Sequence, residues 1–181
     1  ARKVGAAVMP LAVLGQLAAE APAPAPFALL PALIVVPVLT AVAIALLPGN
    51  RGDYAKATAL VGSTITGAIS LFVLATFDKA DPGFQLVSQH SWVSELGLNW
   101  ILGIDGISLF LVVLTGILFP IAILTTEAHH EPKPYYLWLM LLMAGTMGAF
   151  MALDLLLFFL FFEVVLVPMY FLIGGWGHGE R

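Results

Sequence analysis

Long uncharged stretches broken by short polar segments dominate the pattern of this chain. Crossing about 30 Å of hydrocarbon takes roughly 20 predominantly apolar residues in a helix. Three uncharged runs reach that length: Phe27–Leu47, Ala57–Phe77 and Gly106–Thr126. Pro48-Gly49-Asn50 ends the first, Asp78 ends the second, and Asp105 stands where an N-cap would begin the third. A fourth run, Tyr135 to Ile173, is interrupted only by Asp154 and Glu163. As one straight helix it would measure about 58 Å, nearly twice the membrane. It must fold back, and Asp154 is the polar break near its middle. The pattern therefore predicts two helices, 135–153 and 154–173, joined by a very tight turn, and five spans in all.

Between the second and third spans, Phe84-Gln-Leu-Val-Ser-Gln-His-Ser-Trp92 and Leu98-Asn-Trp-Ile-Leu102 flank Ser94-Glu95-Leu96-Gly97. Partial alternation around a glycine-containing turn predicts a short hairpin. Trp92 and Trp100 suit the headgroup level, so the hairpin is expected on the membrane surface or against a neighbouring subunit. Residues 1–26 read as a separate N-terminal tail. Arg2-Lys3 precede an uncharged run in a layout like a signal peptide's, and Glu20-Ala-Pro-Ala-Pro-Ala-Pro26 reads as a stiff linker. Residues 27–181 form the membrane domain.

Composition agrees with a bilayer as solvent. Of 181 residues, 61% are hydrophobic and 10% charged, with a mean hydropathy of +1.02, whereas soluble domains run at about a quarter charged. The net charge of −4 is scattered over loops and supports no nucleic-acid partner. The chain has no cysteine, which excludes thiolate-held iron–sulfur clusters, zinc on sulfur and disulfides. No cofactor and no metal is expected here; His129-His130 beside Glu131 read as a wetted loop. With five spans, Arg51, Lys56, Lys133 and Arg181 share one side of the membrane, against Lys79 on the other. Positive-inside bias then places the N-terminal tail outside and Arg181 in the cytoplasm.

Glu163 is the residue with the sharpest chemistry. In the span 154–173 it lies about 15 Å from either end, among Leu156-Leu-Phe-Phe-Leu-Phe-Phe162 and Val164-Val-Leu-Val167. A carboxylate at that depth costs at least about 2.5–3.5 kcal/mol on insertion scales, so such groups face a bundle interior and mark ion or proton pathways. The plainer role is a protonated carboxyl that hydrogen-bonds a neighbouring helix. Pro168 leaves the carbonyl of Val164 without its usual donor, a place for water or a cation beside the acid. Asp154 reads as the cap of the fifth helix or as a proton uptake or release group. Gly145 and Gly148 read as close-packing positions.

Two stretches carry a family resemblance. Leu153-Asp-Leu-Leu-Leu-Phe-Phe-Leu-Phe-Phe-Glu-Val-Val-Leu-Val-Pro-Met-Tyr-Phe-Leu-Ile-Gly-Gly-Trp-Gly177 resembles the fifth-helix region of the M subunit (subunit 4 in mitochondria) of respiratory complex I. Gly103-Ile-Asp-Gly-Ile-Ser-Leu-Phe110 and His90-Ser-Trp92 fit the same subunit. The resemblance implies an all-α polytopic membrane protein of about fourteen spans, built on inverted repeats of about five helices. It implies a proton-translocating, antiporter-like, non-redox subunit of NADH-quinone oxidoreductase, a translocase in the bacterial plasma membrane. Its partners would be L-, N- and K-type membrane-arm subunits and the bilayer, with NADH, FMN, iron–sulfur clusters and quinone on partner subunits. Glu163 would be the key glutamate of the proton channel, coupled to a lysine that these spans do not contain. Two other readings share the residues: a subunit of a cation/proton antiporter or membrane-bound hydrogenase, and a helical membrane scaffold without an ion pathway.

Overall fold

The computed structural model describes residues 29–48, 52–80, 83–93, 98–128 and 130–177. Five helices long and apolar enough to cross a membrane are present among them: α1 (Leu29–Leu46), α2 (Gly52–Thr76), α3 (Gly106–Thr125), α4 (Pro132–Met151) and α5 (Leu155–Trp176). An antiparallel hairpin, β1 (Gln85–Val93) with β2 (Leu98–Ile104), lies between α2 and α3. The tail 1–26, Gly49-Asn50, the turn Ser94–Gly97, His129, Arg181 and the side chain of Trp92 lie outside the described residues.

Helix ends follow local chemistry more closely than hydropathy. α2 starts at Gly52 rather than near residue 57, carrying Asp53 in its first turn, where an acid complements the N-terminal dipole. α4 starts at Pro132, whose missing N–H is no loss at a first helical position. α5 runs on to Trp176, past the expected residue 173. Asp105 caps α3: its carboxylate accepts from Ser108 N at 2.7 Å while Ser108 Oγ accepts from Asp105 N at 2.9 Å.

Close helix contacts use small residues. α2 buries Ala55, Ala59, Gly62, Ser63, Thr66, Gly67, Ser70 and Val73. At Gly67 it meets the backbone of Gly116 on α3, where an added Cβ would stand 2.5 Å from the Gly116 carbonyl oxygen. The buried hydroxyls stay satisfied within their own helix: Ser63 donates to Leu60 O, Thr66 to Gly62 O and Ser70 to Gly67 O. α4 is the hub, packed against all four other helices and β2. It buries Tyr136, Met140, Met143, Met147 and Met151, pliable side chains that fill the gaps between helices.

At one end of the bundle two lysines close open helix ends. Lys133 Nζ donates to Leu47 O at 2.7 Å beyond α1, and Lys56 Nζ to Leu124 O at 3.3 Å in the last turn of α3. Each places a cation against C-terminal carbonyls that have no helical donor. At the other end the hairpin, which Trp92 and Trp100 suggested would lie on the membrane surface or against a neighbouring subunit, also packs against this chain's own helices. Leu102 and Ile104 are fully buried, and the strand reaches in against this chain's own helix ends. A register shift between Gln85 and Ser88 spans Leu86, which takes a left-handed conformation at φ 54° and bends β1.

Candidate proton-handling site

The site begins at the tight turn between α4 and α5. Met151 ends one helix and Leu155 starts the next. Asp154 is the N-cap of α5, its Oδ1 accepting from Leu156 N at 2.9 Å and Leu157 N at 3.1 Å. Those two bonds satisfy amides that the first turn leaves without carbonyl partners. The turn is also tied to the hairpin. Leu153 N donates to Ile101 O at 2.9 Å, Leu102 pairs with Ala152 as a β-bridge, and the Leu153 side chain occupies the space beside Gly103.

From that anchored start α5 lies along α4 with one face only. Leu157, Phe161 and Pro168 are buried. The Phe161 ring lies on Gly148, and Val165 lies against Gly145, so the two glycines let α5 approach closely in its first half. In its second half aromatic pairs hold it: Trp138 stacks on Phe171 at 4.5 Å, and Tyr135 meets Trp176 edge-on at 5.4 Å. Trp176 Nε1 also donates to His130 O at 2.6 Å.

Glu163 stands on the other side. It lies roughly 12 Å along a helix of roughly 33 Å, and at about 100° per residue it points roughly 160° away from the centre of the packed face. The carboxylate that the sequence placed among buried groups is exposed in this chain. Its neighbours on the same bare face, Phe159, Leu160, Phe162, Leu166 and Val167, are exposed too. The physical reason is that, among the described residues, α5 packs mainly against α4 and β2, both on the Phe161 side. Pro168 is buried on that packed side, about 140° around the helix from Glu163. The proline and the acid therefore occupy different faces. No intramembrane cation approaches Glu163 among the described residues: Lys56 and Lys133 are engaged at the bundle's end.

Asp105 and Asp154 both act as caps on the hairpin side of the bundle. The hydrogen bonds from Ser108, backbone first, hold the Asp105 carboxyl below its ordinary value of 3.8. Reading the residues one at a time missed Trp100, Gly103 and Phe161, which join hairpin to helix. The one available signal was the alternation that places Trp100 and Leu102 on the same face of β2.

Comparison with known proteins gives this arrangement its context. No family model matches the chain. It is 44% identical over 128 residues to NADH-quinone oxidoreductase subunit M of Rhodobacter capsulatus, covering 70% of this chain and 25% of that protein. It is 37% identical over 157 residues to NAD(P)H-quinone oxidoreductase chain 4 1 of Synechococcus elongatus, covering 86% and 30%. Its fold matches a chain of respiratory complex I from Thermus thermophilus, solved with bound NADH, with a TM-score of 0.67, 25% identity, and coverage of 84% of this chain and 30% of that one. A chain of the membrane-bound sulfane sulfur reductase, an archaeal respiratory membrane complex, shares the fold at a TM-score of 0.66 and 19% identity. The chain thus spans about a quarter to three tenths of the relatives it matches. Over that length it is an integral membrane chain homologous to subunit M, or chain 4, of NADH-quinone oxidoreductases.

Proposed function

We propose that this chain is part of a proton-translocating subunit in the membrane arm of an NADH-quinone oxidoreductase, and that Glu163 is a carboxylate through which the protons pass. The relatives' names supply the complex. The observation that carries the role is an ionisable group about a third of the way along α5, well inside the span and on the face that α4 leaves uncovered. A carboxylate left at that depth against lipid is costly. Its face calls for a neighbour that brings water or a cation, and a counter-charge that moves would change the proton affinity of Glu163 during turnover. The Lys56 and Lys133 side is the cytoplasmic side of a bacterial plasma membrane in this reading. NADH, FMN, iron–sulfur clusters and quinone belong to partner subunits, and L-, N- and K-type subunits are the membrane neighbours.

The test is Glu163→Gln in the complete protein, followed as proton pumping into sealed vesicles driven by NADH oxidation. Coupled pumping is expected to fall by roughly tenfold or more, the loss usual for a proton-transfer group, with the complex still assembled. Wild-type pumping in that variant ends the assignment.

The same residues fit a second reading, a subunit of a cation/proton antiporter or membrane-bound hydrogenase. Copurification decides between them, because NADH-oxidising, flavin-bearing partners belong to the first reading only. A helical scaffold without an ion pathway predicts instead that Glu163→Leu leaves pumping unchanged.

A further inference from the structure

α5 packs through one face, and its rotation about its own axis decides where Glu163 points. One side chain touches α5 from outside the α4 helix at a place that matters for this. Trp100, half-buried on β2, meets the Phe161 ring edge-on at 5.7 Å with an interplanar angle of 74°. Phe161 is 6% exposed and its ring also lies on Gly148, so it is held from the hairpin and from α4 at once. Phe161 precedes Glu163 by two positions, which puts the two side chains roughly 200° apart on one rigid helical turn. Turning the helix about its axis by roughly 20° swings a side chain at a radius of roughly 5–6 Å through about 2 Å. A misplacement of that size is enough to disturb proton transfer.

We infer that Trp100 is a positioning residue for Glu163: by holding Phe161 against Gly148 it sets the rotation of α5 and therefore the direction of the carboxylate. The inference rests on the reading of Glu163 as a proton-carrying group. The hairpin is suited to this because it is itself fixed to the start of α5, through Leu153 N to Ile101 O and the bridge between Leu102 and Ala152. The elements packed on α5 bring no other ionisable group to mid-span. α4 carries Lys133, Tyr135 and Tyr136 near its start, β2 carries none, and on α5 the nearest are Asp154 and Tyr170.

The experiment uses the complete subunit within its purified complex. Infrared difference spectra identify the carboxyl band that disappears in Glu163→Gln, and its titration gives a midpoint. Trp100→Ala is expected to move that midpoint by about half a pH unit or more and to lower coupled pumping about threefold or more. Trp100→Phe keeps an aromatic edge and is expected to restore both. Ile123→Ala, which empties a fully buried position on α3, is expected to lower stability and leave the midpoint in place. If Trp100→Ala does not assemble, Gly148→Ala reads the same contact from α4, since its Cβ would overlap the Phe161 ring. An unmoved midpoint in the assembled variant overturns the positioning role while Glu163 keeps its own. An equal shift in Ile123→Ala overturns it as well, by showing general loosening. If Glu163→Gln removes no band, the reading of Glu163 fails first and the inference fails with it.

Discussion

α4 and α5 are joined by one tight turn and could hardly differ more in surroundings. In their most apolar windows 44% of α4 is buried and 17% of α5. Yet α5 is the more apolar of the two, with Leu, Phe and Val over most of its length, whereas α4 carries Thr146, Gly145, Gly148 and two tyrosines. In water that ordering would be inverted. In a bilayer, lipid solvates apolar side chains as well as protein does, so burial goes to the face that permits close packing, on α4 the glycines Gly145 and Gly148 with the pliable Met140, Met143 and Met147. The bare face of α5 is therefore ordinary for a span except at Glu163, where neither lipid nor α4 offers a partner.

The largest expected effect separates the two regions by volume. Gly67→Leu, on α2 in the packed part, drives a side chain into the Gly116 backbone and is expected to cost about 3 kcal/mol. Gly174→Leu, near the end of α5, meets open space and is expected to stay within about 0.5 kcal/mol. Thermal unfolding of the detergent-solubilised protein compares them. The next effect sharpens the contrast along the helices themselves. Met143→Ala on α4 is expected to cost about 2–3 kcal/mol, because the residue is fully buried. Leu160→Ala on α5, 36% exposed, is expected to cost less than about 0.5 kcal/mol in this chain alone. Measured in the complete protein, a rise of the Leu160→Ala cost toward that of Met143→Ala would show that protein covers the Glu163 face; equal small costs in both settings would show lipid there.

The smallest effect belongs to the cap of α3. Asp105 has a lowered folded value, so the stability it contributes is present above about pH 4 and is lost as pH falls through that lowered value. Asp105→Asn keeps an acceptor for Ser108 N and is expected to change neutral-pH stability by a few tenths of a kcal/mol. Its acid limb should be correspondingly flatter. Stability measured from pH 7 to pH 3 checks both points, and an unchanged acid limb would remove Asp105 from the account.

What was legible in the sequence was mainly what is local. Three uncharged runs and a fourth too long for one crossing marked five spans, Asp105 and Asp154 stood where caps are needed, and Gly145 and Gly148 stood where helices approach. The start of α2 was missed because hydropathy stops at charge and a helix does not: Asp53 sits on the N-terminal dipole, and Lys56 reaches the Leu124 carbonyl. The docking of β2 under the α4–α5 turn was missed because it pairs residues about fifty to sixty positions apart, such as Ile101 with Leu153 and Trp100 with Phe161. Glu163 was found by its depth. Its exposure was not foreseen, since depth along a helix says nothing about which neighbours stand beside it.

The connection Ala152–Asp154 has one further consequence. With only Ala152–Asp154 between the helices and Leu153 pinned to Ile101, α5 has no room to slide like a piston past α4, and a tilt would pivot at the hairpin. A swing of about 10° would carry Glu163 roughly 2 Å and Trp176 roughly 6 Å, in proportion to distance along the helix. The Trp176–His130 bond at the far tip is then the latch on a lever, and the acid rides partway along its arm.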